Sequence, residues 1–269
     1  MSYLTFHLVF TLPPIVVLAL TLPRPLAGQG GPRARYGIPL IALIAFVYTT
    51  PWDNFLVANE VWSYGPERVL ATIGYVPVEE YAFFLLQTTL TGLLLYHLLA
   101  RVNPPLPDKT APHRRVRHVG AGVFLALSAL GAALLVSGWT SGRYAGLILI
   151  WAGPVIAALW AFGGNVAWQM PGVFLAAVLA PTVYLWCADA IALRAGTWHI
   201  AEPTSLGAGL LGLPVEEAGF FLMTNLMVVL GLLLWLFSER AAGHPLARPL
   251  LASAERLLAS AERLSPQRF

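Results

Sequence analysis

The sequence predicts an all-α membrane protein, with seven transmembrane helices arranged as two parallel three-helix repeats joined by a connecting helix. Three observations carry that prediction. Of 269 residues, 58% are hydrophobic and 11% charged, with a mean hydropathy of +0.70, whereas a soluble domain carries roughly 25% charged residues. Seven stretches are apolar over the ~20 residues that a helix needs to cross the hydrocarbon core. The tetrapeptide Pro-Val-Glu-Glu occurs twice, at 77–80 and at 214–217, and each copy leads into a Phe pair and a long apolar run.

The expected spans run over about 3–22, 37–57, 77–100, 118–137, 143–162, 170–193 and 214–238. The first has no positive residue ahead of its apolar run, so it reads as a span rather than as a signal peptide. It contains Pro13 and Pro14, and the fifth contains Pro154; prolines are tolerated inside membrane helices, often at kinks. The second and sixth spans carry Tyr48 and Asp53, and Tyr184 and Asp189, near their ends. The third and seventh open on the doubled motif. The fourth carries no such residue and reads as the connector. After the seventh, 251–257 and 258–264 repeat the same heptad, which predicts a short amphipathic helix on the membrane surface.

Arg and Lys placement orients the chain. Arg24, Arg33 and Arg35 lie in the first loop, Arg101, Lys109, Arg114, Arg115 and Arg117 in the third, and Arg240, Arg248, Arg256, Arg263 and Arg268 in the tail. With seven spans these share one side, and only Arg68, Arg143 and Arg194 fall on the other. The expected topology is therefore a multi-pass cell-membrane protein with its N-terminus outside and its C-terminus cytoplasmic. The pI near 9.2 belongs to these loops and implies no nucleic-acid partner.

Sliding the chain along itself until Pro77 lies on Pro214 also lays Glu79, Glu80, Phe83 and Phe84 on Glu216, Glu217, Phe220 and Phe221. The neighbouring register lays Tyr48, Asp53 and Trp62 on Tyr184, Asp189 and Trp198. The slip between the two registers falls in the outer loop, where insertions are best tolerated. The expected units are 1–105, a three-helix repeat; 106–138, a basic loop and connecting helix; 139–239, the second three-helix repeat; and 240–269, an amphipathic tail. A single connecting span makes the repeats parallel, related by an axis along the membrane normal, and gathers the matching acidic residues at one depth.

Pro77 and Pro214 suit the first position of a helix, which puts Glu79, Glu80, Glu216 and Glu217 in the first turn. The helix dipole favours carboxylate there; burial and a neighbouring carboxylate oppose it, and a carboxyl that keeps its proton can serve as a general acid. Glu80 shares a helical stripe with Phe83, Phe84 and Gln87, and Glu217 with Phe220, Phe221 and Thr224, which points the second glutamate of each pair toward an interior cavity. The Phe rings suit either plain packing or stabilisation of a cation. Trp62 and Trp198 read as members of an interfacial aromatic belt. Asp53 and Asp189 are further candidates, since ionisable groups in membrane spans tend to be functional.

Several classes are excluded. The one cysteine, Cys187, permits no intrachain disulfide. The six histidines are dispersed and suggest no metal.

The doubled Pro-x-Glu-Glu with its Phe pairs, set in two three-span units, resembles the integral membrane lycopene cyclase family in its fused form, over about residues 3–238. The resemblance implies redox-neutral, proton-initiated closure of the linear ends of lycopene into β-ionone rings, an intramolecular lyase or isomerase reaction of carotenoid biosynthesis with no cofactor. It assigns acid–base catalysis to Glu79, Glu80, Glu216 and Glu217, with Asp53 and Asp189, and implies that Phe83, Phe84, Phe220, Phe221, Tyr48 and Tyr184 meet a linear carotenoid taken from the bilayer. It also leaves room for association with other carotenoid enzymes. The second copy lacks a counterpart to Tyr81. A seven-span retinal protein would need a lysine in its last helix, and Lys109 lies in a loop. A carotenoid hydratase or another isoprenoid-modifying enzyme, or a proton-coupled transporter, remains as an alternative.

Overall fold

A computed structural model of the chain describes residues 1–23, 33–65, 67–111 and 113–241. The tail heptads and Arg24, Arg248, Arg256, Arg263 and Arg268 lie outside the described residues. Among the described residues, seven helices are long and apolar enough to cross a membrane: α1 (Tyr3–Thr21), α2 (Ala34–Ala58), α3 (Val78–Val102), α4 (Arg114–Val136), α5 (Arg143–Gln169), α6 (Pro171–Arg194) and α7 (Val215–Leu236).

Two boundaries move from those expected. Helix α4 already begins at Arg114, ahead of 118, and α5 runs on to Gln169, because polar and basic residues at the membrane edge continue a helix that hydropathy alone cuts short. Pro77 and Pro214 also sit one position earlier than expected. Each is an extended N-cap, and the valine after it is the first helical residue. In α1 the turn His7–Thr11 widens to π geometry just ahead of Pro13 and Pro14, whose missing donors and ring bulk disturb the helical ladder. Prolines 39, 51, 154 and 181 are accommodated inside the other helices.

Helices α3 and α7 are the centre of the bundle: 67% and 61% of their most apolar windows are buried, against 6% for α4. Helix α3 packs on α1, α2, α6 and α7, and α7 packs on α5, α6, α2 and α3, while α4 lies against α5. Where α3 and α7 meet, the Gln87 amide donates to Thr224 Oγ1 and Asn225 Oδ1 at 3.0 Å each. Thr91 donates to Asn225 Oδ1 at 2.6 Å, and the Asn225 amide donates to Thr182 Oγ1 of α6 at 2.9 Å. Helices in lipid gain little from apolar contact with one another, so a satisfied polar cluster of this kind helps specify their register.

Three short antiparallel strand pairs lie in the loops at the Glu-rich end, an addition to the all-helical expectation. β2 (Thr72–Ile73) and β3 (Val76–Pro77) form a hairpin that delivers the chain into α3, as β5 (Gly209–Leu210) and β6 (Leu213–Pro214) deliver it into α7. The second hairpin turns through Leu211 and Gly212 with φ of 54° and 84°, the left-handed pair that suits a tight hairpin. β1 (Trp62–Tyr64) pairs with β4 (Trp198–Ile200), Tyr64 opposite Trp198. That pairing joins segments from the two halves of the chain. At the opposite end Arg33 meets Ser238 at 2.6 Å and Glu239 at 3.3 Å, and Arg240 donates to the Pro107 carbonyl at 3.0 Å.

Candidate active site

The two motifs fold alike because their local chemistry is alike. In each, the proline ends a hairpin and caps the helix. The following valine N–H bonds back to Ala71 or Ala208 at 3.0 Å, and the two glutamates then diverge. The first of each pair turns to its own loop. Glu79 Oε1 accepts from the Leu70 N–H at 2.8 Å, and Glu216 Oε1 accepts from the Leu206 N–H at 2.6 Å and the Ser205 hydroxyl at 3.1 Å. The second turns inward. Glu80 Oε2 accepts from the Tyr3 hydroxyl at 2.7 Å and the Tyr64 hydroxyl at 3.2 Å, and Glu217 Oε1 accepts from the Tyr144 hydroxyl at 2.6 Å. The two shortest of these have the length of charge-assisted hydrogen bonds.

Glu80 and Glu217 line one chamber of about 40 Å³, together with Asp189. Nine of its thirteen lining residues are aromatic, so its polar groups are carboxyls and phenols set in ring walls. Phe83, Phe220 and Phe221 are in that wall, Phe83 meeting Phe221 edge-on at 6.2 Å between centroids. Phe84 is not; it packs edge-on against Tyr81 and faces an apolar furrow on the other side of α3. Trp62 and Trp198 also line the chamber. This corrects the interfacial-belt reading: the β1–β4 pairing folds both rings inward over the carboxyls.

Asp189 is 1% exposed. Its Oδ1 accepts from the Trp198 indole at 2.8 Å, while Oδ2 has no hydrogen-bond partner. Asp53 is equally buried, with an unpartnered Oδ2, and sits behind the lining rather than on it. Glu79 and Glu216 also each keep one unpartnered oxygen. Tyr48 and Tyr184 lie outside the chamber, on the exposed faces of α2 and α6. Each hydroxyl donates at 2.8 Å to a carbonyl of the neighbouring helix, Trp151 for Tyr48 and Phe10 for Tyr184. Tyr184 lines neither the chamber nor the furrow. Tyr48 lines the furrow.

Sequence reasoning passed over the phenols. Tyr3 and Tyr144 are 2% and 0% exposed, at the starts of α1 and α5. One register of the chain on itself lays Tyr3 on Tyr144 and Pro13 on Pro154 together, and that coincidence was the available signal. Burial, and then the adjacent Glu80 carboxyl, push the Tyr64 phenol well above its ordinary pKa, so it stays a donor at neutral pH. Among the described residues, no three His, Cys, Asp or Glu group as metal ligands would.

The arrangement sets two carboxyls around one ring-walled space, where one can give a proton and the other take it. Ring faces attract a cation at such a site, and nearby carboxyls stabilise it more strongly where water is excluded.

Comparison with known proteins agrees in kind. No known protein-family profile matches the chain, and no solved structure matches it significantly. A lycopene beta-cyclase of Halobacterium salinarum is 41% identical over 235 residues, covering 87% of this chain and 95% of that protein. The bifunctional lycopene cyclase/phytoene synthases of Sporisorium reilianum and Leptosphaeria maculans are 40% and 39% identical over 85% and 86% of the chain, which spans 34% and 40% of their own length.

Proposed function

The chain belongs to the lycopene cyclase family, and we propose that it is itself a lycopene β-cyclase whose two motifs share one reaction chamber. The observation that carries this reading is the convergence of Glu80 and Glu217, from opposite halves of the chain, on a single aromatic-walled cavity.

The chemistry follows from the cavity. One carboxyl donates its proton to the terminal double bond of the linear end, leaving a tertiary cation. The π electrons of the neighbouring double bond attack that cation and close the six-membered ring, which moves the positive charge onto a ring carbon. A carboxylate then removes a proton from the adjacent carbon and forms the ring double bond. One proton is gained and one is lost, so the product is an isomer of the substrate and no oxidant or reductant is needed. Glu80 and Glu217 take the acid and base roles. Tyr3, Tyr64 and Tyr144 hold their carboxyls by phenol hydrogen bonds, Asp189 sets a further buried carboxyl beside the cation, and Phe83, Phe220 and Phe221 present rings to it. Glu79 and Glu216 act as positioning residues by fixing the helix entries.

The repeat reading is supported by matched bonds. The Tyr48 and Tyr184 ties, the valine bonds into each hairpin and the Tyr3–Glu80 and Tyr144–Glu217 pairs recur at the registers that lay one half of the chain on the other. The clustering of basic residues at the end opposite the glutamates supports an N-out, C-in topology, with the chamber toward the outer leaflet.

Expression in a lycopene-accumulating bacterium tests the assignment. The expected product is β-carotene or its monocyclic precursor, without added flavin. Unchanged lycopene beside well-inserted protein would refute it.

A further inference from the structure

Beside the chamber, the half of the bundle formed by α2, α5 and α7 carries an apolar furrow of about 340 Å³, lined by residues including Ile41, Ala45, Val155 and Met227. A second hollow of about 590 Å³ adjoins it through Ile44, Tyr48 and Trp151 and reaches the outer face of α2. On that face Leu43, Ile44 and Val47 are 59%, 52% and 63% exposed, which on a spanning helix means facing acyl chains. Phe220 lines the furrow and is also a wall of the chamber. It is the one lining residue that furrow and chamber share.

The rings along this route lie nearly parallel. Tyr48 stacks on Trp151 at 5.7 Å and 16°, Trp151 on Trp52 at 4.3 Å and 15°, and Trp52 on Phe220 at 5.9 Å and 7°. The indole nitrogens of Trp52 and Trp151 are buried without an acceptor. A buried N–H usually finds a partner, and one beside a flat slot can be satisfied by a π face. The other half is built differently. Trp52 corresponds to Ala188 and Trp151 to Phe10 by the same registers, and the counterparts of Ile41 and Thr49, Ala177 and Leu185, are both 0% exposed.

We propose that this furrow is the berth of a linear polyene chain, entered sideways from the bilayer, with Phe220 swinging aside to admit the reacting end. The inference rests on the reading of the chamber as a ring-closing site. Its occupant must be apolar, because the wall surface open to it is almost wholly apolar, and extended, because the route runs from the lipid face past four rings. A conjugated chain gains dispersion contact against each flat ring it passes. The chamber's 40 Å³ is room for a water-sized guest, so a ring-forming end needs the Phe220 movement.

The test is Ala45→Trp, which fills the furrow from α2, beside Ala180→Trp, which puts the same bulk on the exposed face of α6. Ala45→Leu serves as a milder filler, and thermal melting checks that each variant is folded. Purified protein is loaded with lycopene, exchanged into fresh detergent and read by the visible absorbance of the retained polyene; cyclisation is followed in proteoliposomes. Ala45→Trp, or Ala45→Leu if the larger variant does not fold, is expected to raise KM by about tenfold or more with kcat within about threefold, the equivalent of one ~1.4 kcal/mol step in affinity, and to lose most of the retained lycopene. Ala180→Trp is expected to match the unaltered protein. Equal retention and KM in a folded Ala45 variant, or equal loss in Ala180→Trp, would overturn the berth. If the unaltered protein retained lycopene and Ala45→Trp did not, but neither cyclised it, the berth would stand and the cyclase reading would fall.

Discussion

Replacing Glu80 and Glu217 by glutamine, singly and together, separates one shared chamber from two independent sites. The amide is nearly isosteric, and its carbonyl can still accept from Tyr3 and Tyr64, or from Tyr144, so the 2.7, 3.2 and 2.6 Å contacts have a partner in each variant. What is removed is the exchangeable proton. General acid–base catalysis contributes roughly 10²–10⁴-fold. If both carboxyls act on the same ring closure, each single variant should fall by about that factor. The double variant should fall little further, because residues that act as a unit are not additive. If each motif ran its own site, each single variant would keep about half the rate and only the double would be inactive. The assay is initial rate by chromatographic separation of lycopene, monocyclic and bicyclic products, with folding checked by thermal melting. Half-maximal activity in both single variants would refute the shared chamber. So would full activity in either of them.

Two further outcomes test the supporting residues. Tyr144→Phe removes the 2.6 Å donor to Glu217 but keeps the ring. A hydrogen bond to a charged group is worth about 1.5–3 kcal/mol, so kcat should fall about 10- to 100-fold if that bond acts in the transition state, and activity within twofold of the unaltered enzyme would remove Tyr144 from the chemistry. Glu216→Gln leaves Glu80 and Glu217 alone but weakens the bonds from Leu206 and Ser205; it should cost about 1–3 kcal/mol of stability, seen as a lower midpoint in thermal melting, while kcat of the folded protein stays within about threefold. A loss of kcat as large as that of Glu217→Gln would instead put Glu216 in the reaction.

The lean toward the second glutamate was legible because it depends only on helical spacing. Residues three, four and seven apart share a face, and Glu80 with Phe83 and Gln87 is such a set. The same spacing grouped Phe84 with them, yet that ring faces the furrow, since a helical stripe is wide enough to span two neighbouring cavities at a crowded helix junction. The phenols were harder to see. Tyr3 and Tyr64 belong to α1 and to the β1 loop, each reaching Glu80 by its own route, and nothing local in either segment marks a carboxylate partner. Trp62 and Trp198 misled for a related reason: an aromatic just outside a span suits a membrane interface equally well, and only the pairing of β1 with β4 turns both rings inward.

By itself the sequence determined what depends on composition and on short spacing: seven apolar spans, two matching helix entries opened by proline and headed by paired carboxyls, and the end of the bundle at which those carboxyls gather. Hydrophobic length and helical period are local properties, and lipid leaves few alternatives to a helix that satisfies its own backbone. The tertiary structure alone decided that Glu80 and Glu217 face one chamber, that three tyrosines and a tryptophan hold its carboxyls, and that an aromatic-lined furrow abuts it on one side. Most of these depend on contacts between segments far apart in the chain or between non-neighbouring helices, and such contacts are set by how the whole bundle packs.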